Sequence, residues 1–127
     1  METAGSRDQL SQAAIGAAIE VHRILGPGLM ESTYESCLAY ELSLRNVPFA
    51  QQLSLPVNYK DHVVSSALKM DFVVDNALIL ELKAVEAINE IHKAQLLTYL
   101  KLSRLRTGLI INFNVKLLKH GILRMVN

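Results

Sequence analysis

The chain has 127 residues, half of them hydrophobic, with three prolines and no low-complexity tract, which fits one compact domain and excludes a disordered or two-domain chain. No apolar run approaches the ~18 residues of a membrane span and the polar start lacks the apolar core of a signal peptide, so a cytoplasmic protein with no membrane partner is expected. The net charge of +1 hides an asymmetry: residues 1–92 hold all 12 acids against 6 Lys/Arg, whereas residues 93–127 hold 7 Lys/Arg and no acid.

In chain order, the first nine residues read as a disordered tail ahead of a single domain over residues 10–127. Apolar spacing from Asp8 through Ile15, Ala18, Ile19, His22 and Leu25 predicts a helix ended by Gly26-Pro27, since glycine caps helix C-termini and proline commonly follows. His22 falls in its last turn, where the helix dipole favours an imidazolium, and reads as structural. A second helix is predicted from Leu29 to about Leu44, closed by Asn46 before Val47-Pro48. Glu31 and Tyr34 share a face near its start, although an acid in a first helical turn commonly just complements the dipole. The lone Cys37 cannot form an internal disulfide, and with no second cysteine a thiolate zinc site is not expected either.

Alternation from Phe49 to Tyr59 predicts a strand, bent or at a sheet edge near Pro56, followed by a turn at Lys60-Asp61-His62. Strand character resumes at Val63 and runs into the most informative stretch, Asp71 to Lys83. Met70, Phe72, Val74, Leu78, Leu80 and Leu82 are apolar and even-numbered, while Asp71, Glu81 and Lys83 are odd-numbered, which marks a hairpin with one face on the core. A two-residue turn at Asp75-Asn76 would set Asp71 against Leu80. A three-residue loop, Asp75 to Ala77, sets Asp71 against Glu81 and Phe72 against Leu80, and every side chain falls on a compatible face. The longer loop is therefore predicted.

That register brings two carboxylates to roughly 5 Å, a repulsion that a divalent cation would remove. Two carboxylates suit Mg²⁺, which keeps several waters, and Lys83 follows about 6.6 Å along the same face. A solvated Asp/Glu/Lys surface cluster would give the same pattern.

Asn89 can cap a third helix from Glu90 to about Ser103, with His92, Gln95 and Tyr99 on one polar-rich flank. Arg106 to Phe113 reads as a buried strand and Ile122 to Val126 as a short terminal one. The helix between the Lys83 strand and the Leu109 strand is a crossover that allows those strands to lie parallel. The cationic last third is a footprint for a polyanion, with Lys93, Lys101, Arg104 and Arg106 as candidate phosphate contacts, although solubilising charges spread over several faces would look alike.

The segment Val21 to Glu35, in which Gly28, Glu31 and Tyr34 fill the named positions, resembles the defining segment of the GxxExxY protein family. Asp71, Glu81-Leu82-Lys83 and Gln95-Leu96-Leu97-Thr98-Tyr99 are similar to its remaining motifs. That family belongs to the PD-(D/E)XK nuclease superfamily, and the Q-x-x-x-Y element is typical of its RecB-like branch. The resemblance implies an α/β fold with a mixed sheet: a restriction-endonuclease-like αβββαβ core, with an extra N-terminal helix and a C-terminal strand. It implies Asp71 and Glu81 as ligands of Mg²⁺ or Mn²⁺, Glu31 near the metal or its waters, Lys83 orienting the attacking water, and Gln95 and Tyr99 lining the cleft. The superfamily's proline before the Asp is absent, and Met70 stands there.

The resulting expectation is a Mg²⁺-dependent nuclease acting on nucleic acid, DNA foremost. No helix-turn-helix or zinc-finger spacing is present, so sequence specificity is not expected. The alternative is a non-cleaving nucleic-acid-binding or assembly subunit that retains the fold, and for a domain this small a homodimer is a further expectation.

Overall fold

The structure is a computed structural model that describes the backbone from Ala4 to Asn127 and side chains from Gln9 onward. Three helices and five strands follow in the order α1 (Ala4–Leu25), α2 (Glu31–Leu44), β1 (Phe49–Tyr59), β2 (His62–Val74), β3 (Leu78–Lys83), α3 (Glu90–Ser103), β4 (Thr107–Asn112) and β5 (Ile122–Val126). This is the predicted order, with a short 3₁₀ turn at Leu118–Gly121 added before β5. The first helix begins at Ala4 and not at Asp8. Residues 1–3 of the expected tail lie outside the described residues, while residues 4–9 belong to α1, no proline or β-branched residue interrupting them.

The sheet runs β1-β2-β3-β4-β5 in sequence order. Only the β3/β4 pair is parallel, because α3 crosses between them, and the other three pairs are antiparallel. Helices cover both faces. Ala14, Ala18, Val21, Tyr34, Leu38 and Leu42 of α1 and α2 pack with Phe72, Val74, Leu78, Leu80, Leu82, Leu109 and Ile111 on one face. Leu96 and Leu100 of α3 pack with Met70, Val73, Ile79 and Ile110 on the other. This two-sided cover is why β3 and β4 read as nearly continuous apolar runs. It also corrects one detail of the sequence pattern: Met70 does not share the core face of Phe72, because the alternation of β2 breaks between them, at Asp71.

The link between α1 and α2 is locked from inside. Gly26 and Gly28 adopt φ of +72° and +98°, a region open to glycine at no steric cost. Tyr34, fully buried and stacked on Phe113 with ring centroids 4.4 Å apart, donates its hydroxyl hydrogen to Gly26 O at 2.6 Å and accepts from Leu29 N–H at 3.1 Å. His22 is structural, as expected, its Nε2 lying 2.8 Å from Val115 O. The first turn of α3 is closed by a reciprocal cap: the Asn89 side chain accepts from His92 N–H at 3.0 Å, and His92 Nδ1 accepts from Asn89 N–H at 3.1 Å.

Tyr34→Phe keeps the stacking and removes both hydroxyl bonds, taking from the Gly26 carbonyl and the Leu29 amide their partner in the turn. It should cost roughly 1–2 kcal/mol of stability, read as a fall of several degrees in thermal denaturation with the circular dichroism spectrum unchanged.

Candidate active site

The hairpin has the predicted register. Phe72 pairs with Leu80, Val73 with Ile79 and Val74 with Leu78, leaving Asp75 to Ala77 as the three-residue loop. Asp75 and Asn76 carry it through left-handed φ of +50° and +56°, which these two residue types tolerate better than most. Beyond Phe72/Leu80 the ladder gives way to side chains. Asp71 N–H donates to Glu81 Oε1 at 3.3 Å, and Leu82 N–H donates to Asp71 Oδ2 at 2.9 Å. The two acids thus take the places of backbone acceptors, and the strands fork around them.

Burial sets the electrostatics. Glu81 is only 5% exposed, and desolvation followed by the charge of Asp71 pushes its pKa from 4.5 to about 8. Desolvation also raises the pKa of Asp71, the charge of Glu35 adds to the rise, and hydrogen bonds from Leu82 N–H and Gln52 oppose it. Lys83 is a cation that lowers both carboxyl values. That opposition does not overcome burial, so without a cation Glu81 holds its proton at neutral pH and the pair does not carry two charges.

Glu31 and Glu35 stand one turn apart on α2. Glu31 Oε2 accepts Ala84 N–H at 3.3 Å, so it lies beside the end of β3, next to Lys83. Glu35 reaches the pair from another side: Gln52 Nε2 donates to Glu35 Oε1 at 2.8 Å and to Asp71 Oδ1 at 3.2 Å. Neither Glu35 nor Gln52 stood out in the sequence. A turn-spaced repeat of Glu31 was the available signal for Glu35, and a glutamine in a strand offered none.

From α3, Gln95 Nε2 donates to Tyr99 Oη at 3.3 Å. The Tyr99 pKa is raised by desolvation and by the charges of Glu81 and Asp71, which keeps its phenol protonated beside the carboxylates. Asn112 is a further residue that no pattern in the sequence singles out. Buried at the end of β4, its amide donates to Val85 O at 2.9 Å and accepts Val85 N–H at 3.0 Å, so it fixes the segment that follows Lys83.

The cationic third is divided between the two ends of the sheet. Leu78 pairs with Thr107 and Lys83 with Asn112, so the chain just before Thr107 lies about 17 Å along β3 from Lys83. Arg104 and Arg106 sit in that segment and Lys101 in the last turn of α3, away from the carboxylates. Lys93, bonded to Glu90 at 3.0 Å, lines a cavity with Asn112 and Val115 at the carboxylate end. Lys116 and Lys119 follow Asn112 at that same end, lining a cavity with His22 and Gly26.

Two opposed, desolvated carboxylates with oxygen donors alone suit a hard divalent cation such as Mg²⁺ or Mn²⁺ and not a thiophilic one. Among the described residues no group of three or more His, Cys, Asp or Glu side chains is placed to hold an ion. The fit therefore rests on Asp71 and Glu81, with water completing the shell, a usual arrangement for Mg²⁺.

No curated protein and no solved structure matches the chain. Residues 8–125, which span α2, the carboxylate hairpin, α3 and β4, match the PD-(D/E)XK nuclease superfamily. The match covers nearly the whole sequence, and Asp71, Glu81 and Lys83 stand at a forked hairpin inside it, so the chain belongs to the PD-(D/E)XK nuclease superfamily.

Proposed function

We propose that the protein is a divalent-cation-dependent nuclease that hydrolyses phosphodiester bonds of DNA, and that it is a member of the GxxExxY group. The observation that carries the reading is the half-buried Asp71 and buried Glu81 facing each other at the fork of β2 and β3, with Lys83 on the next outward position of β3. Asp71 and Glu81 would hold the cation and Glu31 would take a water at its edge. A bound Mg²⁺ or Mn²⁺ supplies Lewis-acid polarisation of a phosphoryl oxygen and lowers the pKa of water. Lys83 orients the attacking water and offsets charge on the phosphate. Tyr99, kept protonated by its neighbours and held by Gln95, is a hydrogen-bond donor to the same phosphate. Lys93, Lys116 and Lys119, at the carboxylate end, offer sequence-independent contacts to the backbone of the polymer.

The test is cleavage of single-stranded, duplex and branched DNA and of RNA with Mg²⁺ or Mn²⁺. The wild type should cut DNA, and Asp71→Ala and Lys83→Ala should each lower the rate by roughly 10²-fold or more. No cleavage of any substrate by the wild type, or undiminished cleavage by both variants, overturns the reading.

The site also sets a pH dependence. Glu81 binds its proton more tightly in the folded chain than in the unfolded one, at about 8 against 4.5. Its contribution to stability is therefore complete below pH 4.5 and is lost as pH rises towards 8. Without cation, thermal stability should fall across that window, and Glu81→Gln should flatten the profile. Mn²⁺ added at pH 8 should raise the melting temperature of the wild type and leave that of Glu81→Gln nearly unmoved, since a cation takes over the role of the missing proton.

A further inference from the structure

Gln52 lies on β1 directly across from Asp71, between the pairs Gln51/Phe72 and Leu53/Met70. Its φ is +53°, in the left-handed region that a glutamine rarely adopts. The break in β2 falls at the same level, where Met70 joins the α3 core and Phe72 the opposite one. A regular strand residue here would keep its side chain in the alternation of β1. The left-handed turn instead brings the Gln52 amide between two acids.

Carboxylates only accept hydrogen bonds, so the group between them has to be the amide NH₂, which has two hydrogens to give. Gln52 Nε2 donates to Glu35 Oε1 at 2.8 Å and to Asp71 Oδ1 at 3.2 Å. The other oxygen of each acid is also held: Glu35 Oε2 by Gln51 Nε2 at 2.7 Å, and Asp71 Oδ2 by Leu82 N–H at 2.9 Å. A continuous chain of contacts therefore runs from α2 through Glu35, Gln52 and Asp71 to β3. It fixes both oxygens of Asp71, and it places a neutral donor where two like charges would otherwise repel.

We propose that Gln52 is a positioning residue: anchored on Glu35, it holds the Asp71 carboxylate in the orientation that faces Glu81, so that the pair is set before a cation arrives. This rests on the cation site proposed above. Strained backbone held in place by its surroundings at a functional centre is the arrangement expected of such a role, and partners one step removed from a metal commonly change its affinity by roughly 10–100-fold.

The experiment is Mn²⁺ titration by calorimetry with thermal denaturation alongside, on the full chain. Gln52→Gly removes the amide and the backbone strain together, and Gln52→Met keeps the length and the strain but has no donor. Both should bind Mn²⁺ about tenfold more weakly, with Gln52→Gly melting no lower than the wild type. A merely structural residue would lose stability and affinity in step. The double variant Gln52→Gly with Glu35→Ala should bind no more weakly than Gln52→Gly alone, because the two side chains act in series. Mn²⁺ affinities of both Gln52 variants within twofold of the wild type, while Asp71→Ala abolishes binding, would overturn the role of Gln52 and leave the cation site standing. Failure of the wild type to bind Mn²⁺ overturns both.

Discussion

The structure depends on a carboxyl pair that cannot hold two charges without a proton or a cation between them. Asp71 and Glu81 face each other across two strands with little solvent to separate them, and burial raises both carboxyl pKa values instead of stabilising their charges. Like charges opposed on a sheet are destabilising, so below about pH 8 a proton on Glu81 spares the pair that repulsion, and the surroundings hold the two groups in place. They do so with backbone hydrogen bonds. The acids accept the N–H groups of Asp71 and Leu82 at the point where the ladder of β2 and β3 stops. Were β2 and β3 paired normally through that level, neither carboxylate would have a reason to turn inward.

The remaining elements make that fork rigid. β3 and β4 are covered on both faces, and β3 is buried from Leu78 to Leu82. Asn112 extends the grip past the end of β3 by clamping Val85. The Asn89/His92 cap sets the start of α3, and hence the height at which Gln95 bonds to Tyr99 and Tyr99 comes under the charges of Glu81 and Asp71. A site on strands and on the inner faces of helices is more precisely held than one on loops, and here only Ala84 and the residues after it belong to a loop.

Most of this frame is legible in the sequence for identifiable reasons. The hairpin register is readable because a shift by one residue would bury a carboxylate against Leu80, a cost large enough to decide between two loops. The α3 start is readable because Asn89 is a strong cap residue. Other features leave no local trace. Gln52 carries none of the glycine or asparagine signal that ordinarily marks a positive φ, since tertiary contacts with Glu35 and Asp71 impose it. Met70 looks like part of one apolar stripe until the break at Asp71 turns it to the other face. The basic residues 101–106 show their charge but not their end of the sheet, which the α3 crossover decides.

The segment from Gly28 to Glu35 divides into a scaffold part and a part that faces the carboxyl pair. Gly28 and Tyr34 serve the turn: the glycine takes its positive φ, and the tyrosine hydroxyl ties Gly26 to Leu29. Glu31 and Glu35 flank that tyrosine on α2 and are thereby pointed toward Ala84 and Gln52. Tyr34 is fully buried against Phe113, whose own N–H donates to Lys83 O at 2.9 Å. The same ring that closes the turn therefore also sets the depth of α2 against the end of β3, where Lys83 lies. The spacing between the glycine, the acid and the tyrosine is then a geometric requirement: it is the distance over which one buried ring can fix a turn behind it and two carboxylates beside it.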